Sequence, residues 1–410
     1  MDQEDRRRLY DEIAQPKRFL FLFSDTGGGH RASAQAVKDE FLRLYGARAL
    51  IEMVDVFVGM DRWPFDRFPK WYPTIVGWNG VPWSVGYHLS DRVRTVKAVS
   101  RLAWPYARTA LCQLLQRHPA DAIVSFHGIP NYALLMARQQ LQVPLPMAIV
   151  TLDLVTAHAG WFVPGAEMYL VPTEDTRERA QDCGVDPDRI WVTGMPTRRS
   201  FVESMTLSKE AARVRLNLPQ DRLVILLVGG GEGMGPLAPV VKALAARHPK
   251  AQLVVITGRN QALAATLRAL DTPEPLRIEG FVSNMDVWMR AVDLLVTKAG
   301  PNTISEAFIA GLPMVLYAAL PGQEEGNVTH VTDHGAGIWA PRPELAADAV
   351  MDLLAHPERL SAMARQSQSL AYPEATENIV QRLWDMAQSP RLNPMYLKAE
   401  RLSALRRWFD

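Results

Sequence analysis

Cysteine is almost absent from this 410-residue chain: Cys112 and Cys183 are the only two, and they fit neither a CxxC redox pair nor a zinc spacing. That excludes a disulfide-built secreted scaffold and points to free thiols in a reducing compartment. A surplus of one charge is missing too. With 45 Lys and Arg against 44 Asp and Glu, the net charge of +1 argues against a dedicated nucleic-acid binder. No uncharged apolar run approaches the roughly 18 residues that a membrane span requires. The opening residues carry Asp2, Glu4, Asp5 and Arg6 to Arg8 ahead of a short apolar run, which does not read as a signal peptide. The expected location is therefore cytoplasmic, with any membrane contact made from the surface. Familiar nucleotide motifs are lacking as well: GxGxxG is not matched, and no Gly-Lys-Ser/Thr follows the glycines. The lone D-x-D, Asp186-Pro187-Asp188, reads as a helix-to-strand connector.

What the chain does have is rhythm. Strand-like runs at 18–24, 49–57, 121–127, 146–152, 167–172 and 190–193 alternate with helical stretches near 30–45, 94–117, 131–141 and 174–183. The alternation resumes with runs at 223–229, 252–257, 276–282, 293–298 and 314–318, and helices near 236–247, 260–270, 284–291 and 302–310. Such alternation predicts parallel α/β sheets, and two sets at this length predict two Rossmann-like domains. "TGMPTRRSF" at 193–201 is the expected hinge, since Gly194 and Pro196 interrupt any regular element. In the first helix Ala32, Ala36, Phe41 and Leu42 are expected to face the core.

Glycines gather where buried strands should become helices. "FLFSDTGGGHRASAQAV" at 21–37 places Gly28 and Gly29 before His30; a bare tight turn would explain the glycines alone. A helix start disfavours imidazolium, so His30 there suits a neutral general base. "LLVGGGEGMGP" at 226–236 is the counterpart, either a plain turn or an anion cradle of freed backbone amides. In "LLVTKAGPNTISEAFIAGLPMVLYAALPGQEEGN" at 294–327, a helix opens at Gly300 and carries Glu306 just inside its start. Its amides favour a diphosphate, while a carboxylate so placed can accept from a ribose diol or merely cap the helix. Polar groups from Pro321 to Asn327 then suit sugar hydroxyls.

Taken together, "SDTGGGHRASAQA", "GGGEGMGP", "TGRN", "GFVSNM" and the 294–327 stretch resemble the monogalactosyldiacylglycerol synthase family of family 28 glycosyltransferases. That family includes bacterial diacylglycerol glucosyltransferases and is related to the peptidoglycan GlcNAc transferase. The resemblance implies a GT-B fold, inversion at the anomeric carbon, and UDP-galactose or UDP-glucose as donor. It also implies diacylglycerol as acceptor, reached on an anionic membrane surface at the inner face of the cell membrane. No cofactor or metal is expected, the UDP-sugar being a substrate.

Residue by residue, the resemblance implies His30 as catalytic base, with Gly28 and Gly29 in its acceptor-side loop. Donor binding falls to Gly230, Gly231, Arg259, Phe281, Val282, Gly300, Pro301, Asn302, Thr303, Glu306, Gln323 and Glu324. Arg198 falls on the arginine of the hinge motif, and Asn302 departs from a glycine of plant members. "TLDLVTAHAGWF" matches only loosely and assigns no role to Asp153 and His158. The implied domains are 1–198 for the acceptor and membrane docking, 199–380 for the UDP-sugar, and a helical tail, 381–410, returning to the first domain or lying on the bilayer. Two rival readings share the fold: a UDP-sugar 2-epimerase, and a catalytically silent UDP-sugar sensor.

Residues 57–106 hold five of the 11 tryptophans, and 61–110 carry five more basic than acidic side chains. Trp63, Trp71, Trp78 and Trp83 are the expected membrane-docking residues, because indoles favour the headgroup layer and basic groups an anionic one. The tail at 393–410 mixes Tyr396, Leu402, Leu405, Trp408 and Phe409 with Lys398, Arg401, Arg406 and Arg407.

Overall fold

The computed structural model describes residues 16–388, apart from Gly27, 72–80, Pro144, Glu232, Met234 and 273–274; for 81 and 82 it describes the backbone alone. The 393–410 stretch lies outside the described residues.

Six strands form the first sheet: β1 (Lys17–Phe23), β2 (Ala49–Asp55), β3 (Ala122–Ser125), β4 (Met147–Val150), β5 (Met168–Val171) and β6 (Ile190–Val192). Their order is β2-β1-β3-β4-β5-β6, every pair parallel. The second sheet holds β7 (Leu223–Val228), β8 (Ala251–Ile256), β9 (Arg277–Glu279), β10 (Leu294–Lys298), β11 (Met314–Ala318) and β12 (Gly337–Trp339). It runs β12-β11-β10-β7-β8-β9, again all parallel. The expected α/β architecture of two Rossmann-like units is what forms.

Burial on both faces explains the unbroken apolar runs. Phe19 to Phe23 are all at most 1% exposed. In β7, Leu226 and Val228 join the core that also fills the first sheet, while Ile225 and Leu227 join a separate core on the other face. One expectation is corrected in the Gly29–Tyr45 helix. Its buried face is Ser33, Ala34, Ala36, Val37, Glu40 and Phe41, whereas Ala32 and Leu42 are exposed. The helix starts right after a left-handed Gly28.

Two strand crossings matter for function. From β1 the chain steps out to β2 and returns to β3 on β1's other flank; from β7 it steps to β8 and β9 and returns to β10. Each reversal opens a crevice at the carboxyl ends of the strands, where ligands bind in such sheets. The chain passes between the halves at 193–198 and again before the Ala375–Gln388 helix, which packs on the Gly29–Tyr45 helix. The Trp384 ring stacks on Tyr45 at 3.9 Å. Gly194, at φ +83, lets the two passages touch: a Cβ there would lie 2.4 Å from Tyr372 Cβ.

Candidate active site

On the first sheet, the crevice is built by the turns after β1 and β3. Gly28 takes φ 78, caps the helix, and turns the chain so that His30 sits on the first helical turn over the strand ends. The His30 Nδ1–H donates to the Phe126 carbonyl at 2.8 Å, which leaves the Nε2 lone pair available. Burial pushes its pKa down to about 4 against the opposing effect of that hydrogen bond, so the imidazole is neutral at pH 7.

A second imidazole, which the sequence did not reveal, lies against it. The His127 ring centroid is 4.6 Å from that of His30. His127 Nδ1 accepts from Ile129 N–H at 3.3 Å, so Nε2–H donates to Thr26 Oγ1 at 3.2 Å. Burial, and then the neighbouring His30, hold it well below the usual histidine range. The Trp161 ring lies 6.1 Å from that of His30, and its Nε1–H donates to Asp153 Oδ2 at 2.6 Å. Burial pushes the Asp153 carboxyl up to about 6, against the hydrogen bonds from Gln323 and Trp161. His158 stands apart: its Nδ1 accepts from Gly160 N–H and its Nε2–H donates to Ser90 Oγ at 3.1 Å, tying the Val81–Ser90 helix to this loop.

The second sheet presents five turns to the same side. Gly230 is left-handed at φ +77, and Gly231 accepts from Arg259 N–H at 3.0 Å. Gly258 must be glycine for this packing, since a Cβ would fall 2.3 Å from the Gly231 carbonyl. The Arg259 guanidinium lies 4.4 Å over the Phe281 ring, itself 57% exposed, with Val282 beside it packed on the core. Gly300 caps the Pro301–Ala310 helix, which puts Pro301, Asn302 and Thr303 in its first turn and Glu306 in its second. Glu306 has no described hydrogen bond, and burial pushes its carboxyl up to about 7; Arg198 opposes that shift and Asp286 adds to it. In Glu324 both oxygens are engaged, Oε1 by Lys298 Nζ at 2.6 Å and Oε2 by Leu320 N–H at 2.9 Å.

The halves meet through these turns. Asn302 Nδ2 donates to Ser33 Oγ at 3.0 Å, and a Cβ on Gly29 would lie 3.4 Å from Asn302 Oδ1. Gln323 Nε2 donates to Asp153 Oδ1 at 2.9 Å, and Thr156 Oγ1 donates to the Gln323 carbonyl at 2.8 Å. These contacts set the His30 loop across from the Gly300 turn and join Gln323 to Asp153, while Lys298 links Gly230, Gly300 and Glu324. His127, Trp161 and Lys298 belong to the same cleft; each lies at, or in the loop after, the carboxyl end of a strand. That placement is the signal that could have found them.

The expected docking tryptophans do not behave alike. Trp63 and Trp71 are 66% and 44% exposed, and Leu89 and Leu102 add 73% and 85%. Trp83 is half-buried with its ring 6.2 Å from Tyr87, and Trp78 lies outside the described residues. Among the described residues no helix is long and apolar enough to cross a membrane, and no three His, Cys, Asp or Glu cluster as metal ligands would.

Two parallel sheets facing each other across a cleft, with glycine turns at both reversal points, define the architecture of the GT-B glycosyltransferases. The fold superimposes on a crystal structure of Acinetobacter baumannii MurG with TM-score 0.58 and 18% identity, over 90% of this chain and all of that one. A UDP-GlcNAc 2-epimerase from Neisseria meningitidis, bound to UDP-GlcNAc, gives 0.55 and 14%, again over 90% of this chain and all of that one. The model for monogalactosyldiacylglycerol synthase matches residues 30–197, and that for the glycosyltransferase family 28 C-terminal domain matches 224–379. Monogalactosyldiacylglycerol synthase 3 of Arabidopsis thaliana is 37% identical over 93% of this chain and 83% of its own length. A probable monogalactosyldiacylglycerol synthase 2 of rice (Oryza sativa subsp. japonica) is 36% identical over 92% and 82%. The chain belongs to the monogalactosyldiacylglycerol synthase family and is a glycosyltransferase of glycolipid biosynthesis. These relatives are named chloroplastic, so they lend nothing to a place at the inner face of a cell membrane.

Proposed function

We propose that the chain moves galactose or glucose from a UDP-sugar to diacylglycerol with inversion, forming a β-glycosyl diacylglycerol. The observation that carries this reading is His30: a neutral imidazole, its tautomer fixed by the Phe126 carbonyl, opposite the Gly300 turn. The diphosphate lies on the amides at Gly230, Gly231 and the Pro301–Thr303 turn. Uracil sits at Arg259, Phe281 and Val282, and the ribose diol at Glu306. The acceptor oxygen attacks the anomeric carbon from the His30 side while the bond to UDP breaks on the other. The hydroxyl proton passes to His30 Nε2, and UDP leaves with the electron pair. Fixed amide dipoles take up the developing charge, where one well-aimed donor contributes about 3 kcal/mol.

Labelled UDP-galactose or UDP-glucose, incubated in EDTA with diacylglycerol vesicles, is expected to yield labelled glycolipid. Epimerised nucleotide would instead favour a 2-epimerase, and binding without turnover a sensor. The protein sits on the bilayer peripherally, through Trp63, Trp71, Leu89 and Leu102 with the basic side chains around them. Trp63→Ser combined with Trp71→Ser is expected to weaken sedimentation with anionic vesicles at least about ten-fold, from the lost burial of two indoles. Unchanged sedimentation would remove the docking assignment.

Donor binding should release a proton from Glu306 below about pH 7. Glu306 is protonated below about pH 7 in the free protein, and a ribose diol donating to it favours the carboxylate. UDP affinity is therefore expected to rise with pH up to about 7, by at most about ten-fold per unit, and then level off. In Glu306→Gln that part of the profile should vanish in calorimetric titrations, leaving only the titration of UDP itself.

A further inference from the structure

Asp153 belongs to the first half, yet it holds a side chain of the second. Its Oδ2 is fixed by the Trp161 indole N–H at 2.6 Å, and its Oδ1 takes the Gln323 amide N–H at 2.9 Å. A carboxylate is an acceptor at both oxygens, so the Gln323 amide can meet it only through its NH2 group. The orientation of that amide is therefore forced, and Thr156 pins the same residue through its main-chain carbonyl. The consequence falls on the other end of the amide: Gln323 Oε1 is buried and has no hydrogen-bond partner among the described residues. A buried acceptor without a donor bears its desolvation cost uncompensated, and a ligand hydroxyl would supply the missing donor. The neighbouring Glu324 already accepts at both of its oxygens, from Lys298 Nζ and Leu320 N–H.

We propose that Asp153 is a positioning residue for the donor sugar: it turns the Gln323 amide so that Oε1 accepts a hydrogen bond from a hexose hydroxyl once the halves are together. The inference rests on the reading of the cleft as a UDP-hexose site. It makes the sugar subsite a joint construction, one half supplying the contacting group and the other its orientation.

The test is Asp153→Asn. Trp161 N–H claims the new amide's oxygen, so its NH2 faces Gln323, which must flip and present a donor where it presented an acceptor. The KM for UDP-galactose or UDP-glucose, whichever wild type uses, is expected to rise at least about ten-fold, with the Kd for UDP within about two-fold of wild type. In a Gln323→Ala background the same substitution should add nothing, since there is no amide to turn. An unchanged KM, or an equal further loss without Gln323, would overturn the proposal. Should Asp153→Asn fail to fold, Trp161→Phe releases Oδ2 and is expected to raise the same KM about three-fold, again sparing UDP; no rise would overturn it. Failure of the cleft reading looks different, because wild type itself would then neither bind nor consume either UDP-hexose.

Discussion

His30→Ala is expected to cut turnover at least about 100-fold while UDP affinity stays within about two-fold. The split follows from where the residue stands. His30 lies on the first half, and the groups assigned to the nucleotide lie on the second, so truncating the imidazole leaves them in place. What is lost is the Nε2 lone pair that the Phe126 carbonyl holds available at the other nitrogen. As the proposed base, an imidazole with a pKa near 4 is weak. In the proposed reaction the anomeric carbon becomes oxocarbenium-like as the bond to UDP lengthens, which acidifies the attacking hydroxyl before its proton departs. The low pKa also moves the acid limb of kcat, measured at saturating donor, below pH 6, because the imidazole charges only there. Added imidazole should restore part of the activity of His30→Ala, which a purely structural role would not allow. Full turnover in His30→Ala, with single-turnover product confirmed on vesicles, would remove His30 as the base.

Much of this was legible in the chain, for physical reasons that also mark where legibility stops. Doubly covered central strands must be apolar throughout, so they announce themselves as runs between helical segments; edge strand β9 was found only because Phe281 and Val282 extend its run. β12 does not announce itself: Gly337–Trp339 is three residues at the sheet edge, none of them fully buried, and it carries no run to read. The glycine turns were legible from their clustering at strand ends, and at Gly258 the reason is a close backbone approach to Gly231. The helical stripe was misplaced because Ala32 and Leu42 are apolar yet face solvent, while Ser33 and Glu40 are polar and buried. His127 belongs to no motif, since a single histidine after a strand has no spacing to betray it. Asp153 and Gln323 are 170 residues apart, and only the meeting of the halves joins them.

The other large effect concerns Lys298, where stability and ligand binding are expected to part. Its ammonium lies 2.6 Å from Glu324 Oε1, and the Glu324 side chain is only 8% exposed. Lys298→Met would leave that carboxylate buried without its cation, a loss of about 3–5 kcal/mol in fully buried pairs. Because the Lys298 side chain is 24% exposed and water can reach it, the low end of that range, about 3 kcal/mol, is expected. Thermal unfolding should show it as a drop of several degrees. Adding Glu324→Gln removes the stranded charge and keeps an oxygen for the Leu320 N–H, so the double variant should recover most of the loss. UDP binding should not recover with it. The lysine stem runs beneath both glycine turns: Cε is 3.6 Å from where a Cβ on Gly230 would be, and Nζ is 3.0 Å from one on Gly300. A diphosphate held between those turns meets the ammonium, a charge-assisted contact contributing about 1.5–3 kcal/mol, so UDP should bind at least about ten-fold more weakly in both variants. If the double variant regains UDP affinity along with its melting temperature, Lys298 serves only Glu324, and the diphosphate lies elsewhere than between Gly230 and Gly300.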